Sequence, residues 1–222
     1  MDRMNINSYI DHTVLKPVTT LADIKKICME AVEYGFAAVC IPPPFVKIAA
    51  DMMSSTHIKV ATVTGFPFGY SAIEAKVAET VLAIIDGAHE IDMVANLLAI
   101  RNGDWAYLEK EISTILPLVR SKGKVLKVII ESGILLEEEI LKCCEIYGRY
   151  GVDFVKTSTG YAEKGASVEA VKLMRANLPA NIKIKASGGI KTYEFAKALI
   201  DAGADRLGCS ASVDIVKQAN AI

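Results

Sequence analysis

The sequence predicts an α/β protein that forms one (β/α)8 TIM barrel over residues 1–222. Short β-type runs alternate with helical stretches whose apolar residues lie three and four positions apart, and no linker interrupts the alternation. We count eight such units, and right-handed crossovers close eight units into a barrel of about this length. A doubly wound open sheet is the alternative, but no G-x-G-x-x-G motif follows the first strand, which disfavours its dinucleotide-binding version.

Each predicted strand is a short run rich in apolar and β-branched side chains. In chain order the strands cover residues 9–15, 37–41, 60–66, 90–96, 125–131, 153–158, 182–187 and 206–210. The clearest helical patterns between them cover residues 21–34, 73–86, 105–121, 137–150, 168–177 and 194–202. Several helices close on glycine, which tolerates the left-handed backbone of a helix end: Gly35, Gly87, Gly123, Gly151 and Gly203.

Composition limits the classes of function. A chain of 222 residues that is 52% hydrophobic can bury a substantial core, and 25 basic against 26 acidic side chains give no electrostatic case for nucleic acid or an anionic membrane. The longest apolar stretches are too short to span a bilayer, and residues 1–7 lack the apolar segment of a secretory signal. Five cysteines without a C-x-x-C pair indicate reduced thiols of a cytoplasmic protein with no zinc site.

Two lysines stand in β-type runs that end at glycine. Lys156 lies in residues 153–160 (DFVKTSTG) and Lys185 in residues 183–190 (KIKASGGI). Burial lowers the pKa of an amine and a nearby ammonium lowers it further, so such an amine can be neutral near pH 7, as Schiff-base chemistry requires. Most lysines are solvated surface residues, and either lysine alone would be weak evidence. The Ser, Thr and Gly residues that follow each lysine are the groups from which anion sites are built, and they favour a functional role.

The last two predicted strands leave through small, polar turns. Strand seven exits through residues 187–189 (SGG) and strand eight through residues 208–212 (GCSAS). In a (β/α)8 barrel the active site lies at the carboxyl ends of the strands, and the loops after strands seven and eight often hold phosphate. One Gly-Gly turn would indicate a plain strand-to-helix connection. Two such turns, each leading to a helix N-terminus, favour a phosphate site.

A carboxylate on strand four joins this set. Alternation along residues 90–96 (EIDMVAN) places Asp92 on the face opposite Ile91 and Met93. If that face lines the barrel, Asp92 lies in the mouth with the two lysines. Pairing with Lys185 would keep Asp92 ionised and able to pass protons through water. A carboxylate that merely balances a buried ammonium is the alternative.

Further polar residues on the first and fifth strands are predicted to surround the site. Asp11, His12 and Thr13 lie on strand one, and Lys127 shares a face of strand five with Glu131. The histidines do not cluster, since only His12 falls on a predicted strand, and neither a metal centre nor a histidine-based triad is predicted.

Together these segments resemble the deoxyribose-phosphate aldolases, class I enzymes of deoxynucleoside breakdown. The resemblance spans residues 9–17 (YIDHTVLKP), 38–41 (AVCI), 60–67 (VATVTGFP), 90–94 (EIDMV), 127–131 (KVIIE), 154–160 (FVKTSTG) and 185–190 (KASGGI). The K-T-S-T-G segment in combination with K-x-S-G-G is specific, whereas either motif alone is not.

The resemblance implies a role for individual residues. Lys156 would be the Schiff-base lysine, Lys185 the lysine that perturbs it, and Asp92 the proton-transferring acid. Phosphate contacts would fall on Gly160, Gly188, Gly189 and Ser210, and the surrounding polar residues would include Asp11, Thr13, Cys40 and Lys127. Ser210 is followed by Ala211, where the family often has a second serine.

The implied reaction is the reversible cleavage of 2-deoxy-D-ribose 5-phosphate to D-glyceraldehyde 3-phosphate and acetaldehyde through a lysine Schiff base. Because the iminium nitrogen withdraws electrons, no metal or organic cofactor is expected. The expected partners are small sugar phosphates and aldehydes, and the sequence allows a homodimer without requiring one.

Two other classes of protein remain as alternatives. A phosphate-handling barrel enzyme of another kind, an isomerase or decarboxylase, would use carboxylates as acid and base and form no covalent adduct. A regulator that binds sugar phosphates without catalysis would keep the Gly/Ser turns but would have no reason to bury two lysines.

Overall fold

The computed structural model describes residues 5–221 and contains a closed barrel of eight parallel strands that follow one another in chain order. The predicted (β/α)8 barrel is therefore confirmed, and the open sheet is excluded. The strands are β1 (Ile10–Thr13), β2 (Ala38–Ile41), β3 (Lys59–Thr64), β4 (Glu90–Val94), β5 (Val125–Ile129), β6 (Phe154–Lys156), β7 (Lys183–Ser187) and β8 (Arg206–Cys209). Most predicted strands ran one or two residues too far at their carboxyl ends, because the chain there bends into the barrel mouth.

Nine helices of the described residues surround the barrel. They are α1 (Leu21–Tyr34), α2 (Val46–Met53), α3 (Ile73–Ile85), α4 (Leu97–Arg101), α5 (Trp105–Ser121), α6 (Glu137–Tyr150), α7 (Val168–Asn177), α8 (Tyr193–Asp201) and α9 (Ser212–Ala221). The helical patterns read from the sequence did not include α2, α4 and α9. Helix α2 follows a run of three prolines, α4 is only five residues long, and α9 begins at Ser212, which was assigned to the turn after strand eight.

Helix ends follow local rules that the sequence displays. Thr20 caps α1 in a reciprocal capping box with Asp23. Helices α1 and α6 end at Gly35 and Gly151, whose φ angles of 65° and 70° are left-handed, as predicted. Ile24 and the other buried apolar side chains on the same face of helix α1 pack against the barrel.

The two faces of each strand differ in chemistry. Outward side chains such as Val39, Ile91 and Val128 are buried against the helices in one apolar core. Inward positions of a barrel are usually filled by bulky branched residues. In the described residues these positions carry buried charged side chains together with a small apolar cluster of Cys40, Ala61 and Val63. The barrel interior therefore provides the site.

Within residues 5–221, none of the helices combines the length and apolar character needed to cross a membrane. The prediction that the chain lacks a secretory segment concerns residues 1–7, and residues 1–4 lie outside the part that the structure describes.

Candidate active site

Strand register places the predicted catalytic side chains next to one another. Lys156 on β6 is directly opposite Lys185 on β7, and Asp92 on β4 is opposite Lys127 on β5. All four side chains point into the barrel and are buried. The Nζ atoms of Lys156 and Lys185 each lie 2.7 Å from Oδ2 of Asp92. The inner-face position of Asp92 and its pairing with Lys185 are therefore as predicted.

The two lysines differ in their carboxylate partners. Burial lowers the pKa of Lys156 below its usual value; the single carboxylate of Asp92 opposes that effect, and the charge of Lys185 adds to it. Lys185 also donates to Asp11, and although burial opposes ionisation, the two carboxylates raise its pKa. Lys185 therefore remains an ammonium, which is the state that its predicted role as the lysine perturbing Lys156 requires. Lys156 is the amine that can be neutral.

Asp92 accepts hydrogen bonds from three lysines. The third, Lys127, lies 2.8 Å from Oδ1 of Asp92 and also pairs with Glu90 at 2.5 Å. Burial opposes ionisation of Asp92, but the neighbouring ammonium groups, chiefly Lys127, hold its pKa well below the usual range. Asp92 is thus an ionised acceptor that connects the amine of Lys156 to two fixed positive charges.

This arrangement predicts acid sensitivity of the fold. The pKa values of Asp11 and Asp92 lie below their ordinary value of 3.8, so the stability they contribute is present above that pH and is lost progressively below it, since the unfolded chain then takes up protons first. We expect the free energy of unfolding by urea to fall between pH 4 and pH 2, and to fall less steeply in Asp92→Asn. Asp51→Asn, at an exposed surface pair, is the matched control and should keep the wild-type slope. Equal slopes in all three proteins would contradict the prediction.

A cavity of about 710 Å³ opens at the carboxyl ends of the strands. Lys156 lines it, as do the four residues predicted to contact phosphate, Gly160, Gly188, Gly189 and Ser210. Asp92, Lys185 and Cys40 are fully buried and are not among its lining residues. The cavity therefore reaches both the amine of Lys156 and the Gly/Ser turns, while the charged partners of the amine are enclosed in the barrel.

The turn after β7 packs closely against the loop after β6. A Cβ atom on Gly165 would lie 2.3 Å from the carbonyl oxygen of Gly188, and Gly188 itself has a φ of 87°. The amide of Ala166 donates to the carbonyls of Ser187 and Gly188 at 3.0 and 3.1 Å. Glycine is required at both positions, and the contact fixes the two loops that bound the cavity.

The turn after β8 contributes less than the sequence suggested. Gly208 and Ser210 line the cavity, whereas Ala211 does not. Ser212 begins α9, donates to the carbonyl of Cys209 at 2.9 Å and lies 2.9 Å from Nδ1 of His12. Only part of the predicted turn can therefore reach a bound anion.

The predicted surrounding residues are in place, although they reach the site in different ways. Asp11 contacts Lys185, Lys127 contacts Asp92, and Thr13 lines the cavity. His12 points out of the barrel interior, where Nε2 lies 2.8 Å from Glu30 on α1, but it also lines the cavity. The period of two along β1 requires this, because its neighbours on both sides face inward.

Cys40 lies in the apolar flank of the barrel mouth. Its neighbours there are Ala61, Val63, Leu15 and Phe66. Burial raises the pKa of the Cys40 thiol, which therefore stays neutral beside the lysines. This flank gives the mouth an apolar side opposite the Gly/Ser turns.

Sequence reasoning missed several residues around the site. Arg206 opens β8 and pairs with Asp11 at 2.5 Å, and Glu90 precedes Asp92 by one inward step. The signal was available, since both share the inward parity of their strands. Glu131 was among the predicted surrounding residues, but its left-handed φ of 56° and the hydrogen bond that it accepts from the amide of Thr159 have no signal in the sequence. Within the described residues, no cluster of His, Cys, Asp and Glu side chains has an arrangement that could hold a metal ion.

Comparison with known proteins gives the family. The model of the DeoC/LacD family aldolases matches residues 6–212. The chain belongs to this family. A deoxyribose-phosphate aldolase from Caldanaerobacter subterraneus subsp. tengcongensis is 53% identical over 216 residues, covering 97% of this chain and 94% of the relative. One from Clostridium perfringens is 46% identical, with coverages of 97% and 96%.

A solved structure agrees with this assignment. The deoxyribose phosphate aldolase from Aeropyrum pernix, described as a unique tetrameric structure, has a TM-score of 0.90 and is 31% identical. The match covers 96% of this aldolase and 89% of that chain. The family resemblance stated from the sequence motifs is thus confirmed, and the chain is an enzyme.

Proposed function

We propose that this aldolase cleaves 2-deoxy-D-ribose 5-phosphate reversibly to D-glyceraldehyde 3-phosphate and acetaldehyde through a Schiff base on Lys156. The observation that carries the proposal is the buried amine of Lys156 at the cavity wall, hydrogen-bonded to a carboxylate that it shares with Lys185. An amine with a lowered pKa, open to a cavity on one side, can act as a nucleophile at neutral pH. The proposed substrate is taken from the relatives, which are named deoxyribose-phosphate aldolases.

The first step forms the covalent intermediate. Neutral Nζ of Lys156 attacks carbon 1 of the open-chain aldehyde, and the resulting carbinolamine loses its hydroxyl group as water to give the iminium. Lys185 supplies and Asp92 relays the proton that the leaving hydroxyl needs, through a water molecule on this proposal. The positive nitrogen then withdraws electrons from carbon 2.

The second step breaks the bond between carbons 2 and 3. The hydroxyl on carbon 3 loses its proton to Asp92 through water, carbon 3 becomes the aldehyde of glyceraldehyde 3-phosphate, and the electron pair of the broken bond moves into the enamine. The proton held by Asp92 returns through water to carbon 2 of the enamine, which regenerates an iminium. Addition of water then releases acetaldehyde and restores the free amine of Lys156.

The Gly/Ser turns provide the phosphate end of the site. We assign the phosphate to Gly160, Gly188, Gly189 and Ser210, which line the same cavity as Lys156. Backbone amides in turns of this kind bind anions, and binding of the distant phosphate orients the reacting carbons.

Covalent trapping tests the proposal directly. After incubation with acetaldehyde and reduction with borohydride, we expect peptide mass analysis to find an ethyl group on Lys156. Lys16 and Lys191, which also line the cavity, serve as internal controls and should stay largely unmodified. An adduct mainly on Lys185, or no adduct, would overturn the assignment. Absence of an adduct is the result expected of an isomerase, a decarboxylase or a binding protein.

The phosphate assignment makes a separate prediction. Ser210→Glu places a negative charge beside a dianion, so KM for the phosphorylated sugar should rise at least about tenfold, which corresponds to about 1.4 kcal/mol. Kinetics with unphosphorylated deoxyribose should hardly change. Ser210→Gln has nearly the same volume without the charge and is the matched control. The assignment of this turn fails if Ser210→Glu keeps the wild-type preference for the phosphorylated substrate.

Location and assembly follow as lesser proposals. All five cysteines are buried free thiols, which supports a reducing compartment and hence a cytoplasmic location.

Leu82 and Ile85 form an exposed apolar face on α3, with 59% and 73% of their surface accessible. A second copy of the chain would cover this face in a homodimer. Light scattering of Leu82→Lys and of the wild type at matched concentrations would test this assembly.

A further inference from the structure

Seven charged side chains lie in the barrel interior and are connected by ion pairs. We call this set the interior charge cluster. Its members are Asp11, Glu90, Asp92, Lys127, Lys156, Lys185 and Arg206. They come from β1, β4, β5, β6, β7 and β8. Lys156, at the carboxyl end of β6, is the member that reaches the cavity.

Glu90 and Arg206 stand at the far end of the cluster from Lys156. Each is the first residue of its strand. Arg206 pairs with Asp11 at 2.5 Å and approaches Glu90 at 3.4 Å, and Glu90 pairs with Lys127 at 2.5 Å. Neither touches Lys156 or Asp92 in an ion pair. Both are linked to the reactive amine only through intermediate charged side chains.

The charges of this cluster balance for one state of Lys156. Its three carboxylates carry three negative charges, and Lys127, Lys185 and Arg206 carry three positive charges. The sum is zero when Lys156 is neutral. Protonation of Lys156 adds a positive charge with no counterpart in the cluster, which is costly in a buried site.

We propose that Glu90 and Arg206 are positioning residues for the reaction, which set the charge balance that keeps the amine of Lys156 neutral without contacting it or the substrate. The inference rests on the proposed role of Lys156. Loss of either residue changes the charge of the cluster by one unit, and the two losses have opposite signs. The protonation of Lys156 should therefore respond in opposite directions.

Loss of Glu90 or of Arg206 leaves the other groups that face Lys156 unchanged. Asp92 and Lys185 face it from β4 and β7, and Cys40 from β2. Glu131 faces it from the loop after β5, where Thr159 holds its carboxylate. None of these four groups pairs directly with Glu90 or Arg206, whose ion-pair partners are Lys127, Asp11 and each other, so a shift in either variant reports the missing charge.

The experiment measures the rate of acetaldehyde trapping on Lys156 by cyanoborohydride as a function of pH, which follows the neutral amine without requiring turnover. Arg206→Met should move the midpoint of this profile to higher pH, and Glu90→Gln should move it to lower pH. At an effective dielectric constant of about 20, unit charges roughly 10 Å apart change each other's pKa by an amount on the order of one unit, and we expect shifts of about one pH unit. Arg206→Lys keeps the charge and should keep the midpoint.

The double variant Glu90→Gln with Arg206→Met restores the balance and should return the midpoint to the wild-type value, which a purely structural role of the two residues would not produce. Circular dichroism and thermal melting identify variants that have not folded, and if Arg206→Met fails to fold, Glu90→Gln and the double variant decide. Shifts of the same sign, or no shift in folded variants, would overturn the inference. A wild-type protein without an adduct on Lys156 would instead contradict the proposed function.

Discussion

Lys156→Met is expected to lower the rate of 2-deoxy-D-ribose 5-phosphate cleavage by roughly 10⁴- to 10⁶-fold, the order seen when a covalent nucleophile is removed from an enzyme. The reason is electronic, because without the iminium no group takes up the electron pair of the breaking bond. The borohydride-trapped ethyl group should disappear from the corresponding peptide. Coupled-enzyme detection of glyceraldehyde 3-phosphate measures the loss.

The fold should tolerate this change. Methionine has nearly the length of lysine, and Asp92 keeps hydrogen bonds from Lys127 and Lys185. Lys183→Met is the matched control, since this lysine lies two residues before Lys185 on the same strand with its side chain exposed. It should keep near wild-type activity. A folded Lys156→Met protein that retains a tenth of the activity would exclude the Schiff base on this lysine.

The barrel was predictable because its signals are local. Each strand carries a run of apolar residues and each long helix repeats at the helical period, so the order of elements fixes the count of units. Helix α4 lacks such a signal, because five residues cover little more than one turn and only the cap from Asn96 to the amide of Ala99 marks its start. Its existence depends on the chain having to cross from β4 to α5.

The sequence predicts which candidate side chains come together, but it does not predict the charge that each lysine carries. Strand alternation, which can be inferred from the sequence, turns Lys156, Lys185 and Asp92 into the barrel, and the strand register seen in the structure brings them together. The number of carboxylates around each amine cannot be inferred from the sequence, because Asp11 approaches Lys185 from 174 residues away in the chain. That contact decides which lysine stays charged, and only the closed barrel reveals it.

Contacts of Tyr161 connect loops at the barrel mouth, and no sequence motif predicted these contacts. The hydroxyl of Tyr161, after the K-T-S-T-G segment, donates to the carbonyl of Leu15 at 2.7 Å, and its ring meets Phe66 edge-on at 5.4 Å. These contacts join the exits of β1, β3 and β6. Tyr161 lines the cavity beside Gly160, while Phe66 belongs to the apolar flank that contains Cys40, so this aromatic pair connects the two sides of the mouth.

Lys185→Leu is expected to have the second largest effect, a loss of about 10- to 1,000-fold in kcat/KM at pH 7. The ammonium of Lys185 lies 2.7 Å from the same Oδ2 of Asp92 that Lys156 contacts, and its charge lowers the pKa of Lys156. Without it the amine stays protonated to higher pH. The acid limb of the pH–rate profile should therefore move upward, and activity should partly recover in alkaline buffer.

The extent of that recovery separates two roles of Lys185. If it only tunes the amine, kcat/KM at high pH should approach the wild-type value, because Lys156 is then neutral in both proteins. If it also supplies protons to the carbinolamine and the enamine, kcat should stay low at every pH. Lys183→Leu is the control on the same strand and should leave the profile unmoved. An unshifted acid limb with near-normal turnover in Lys185→Leu would show that burial alone keeps Lys156 neutral. The carboxylates around Lys185 would then stabilise the fold without setting the reactivity of Lys156.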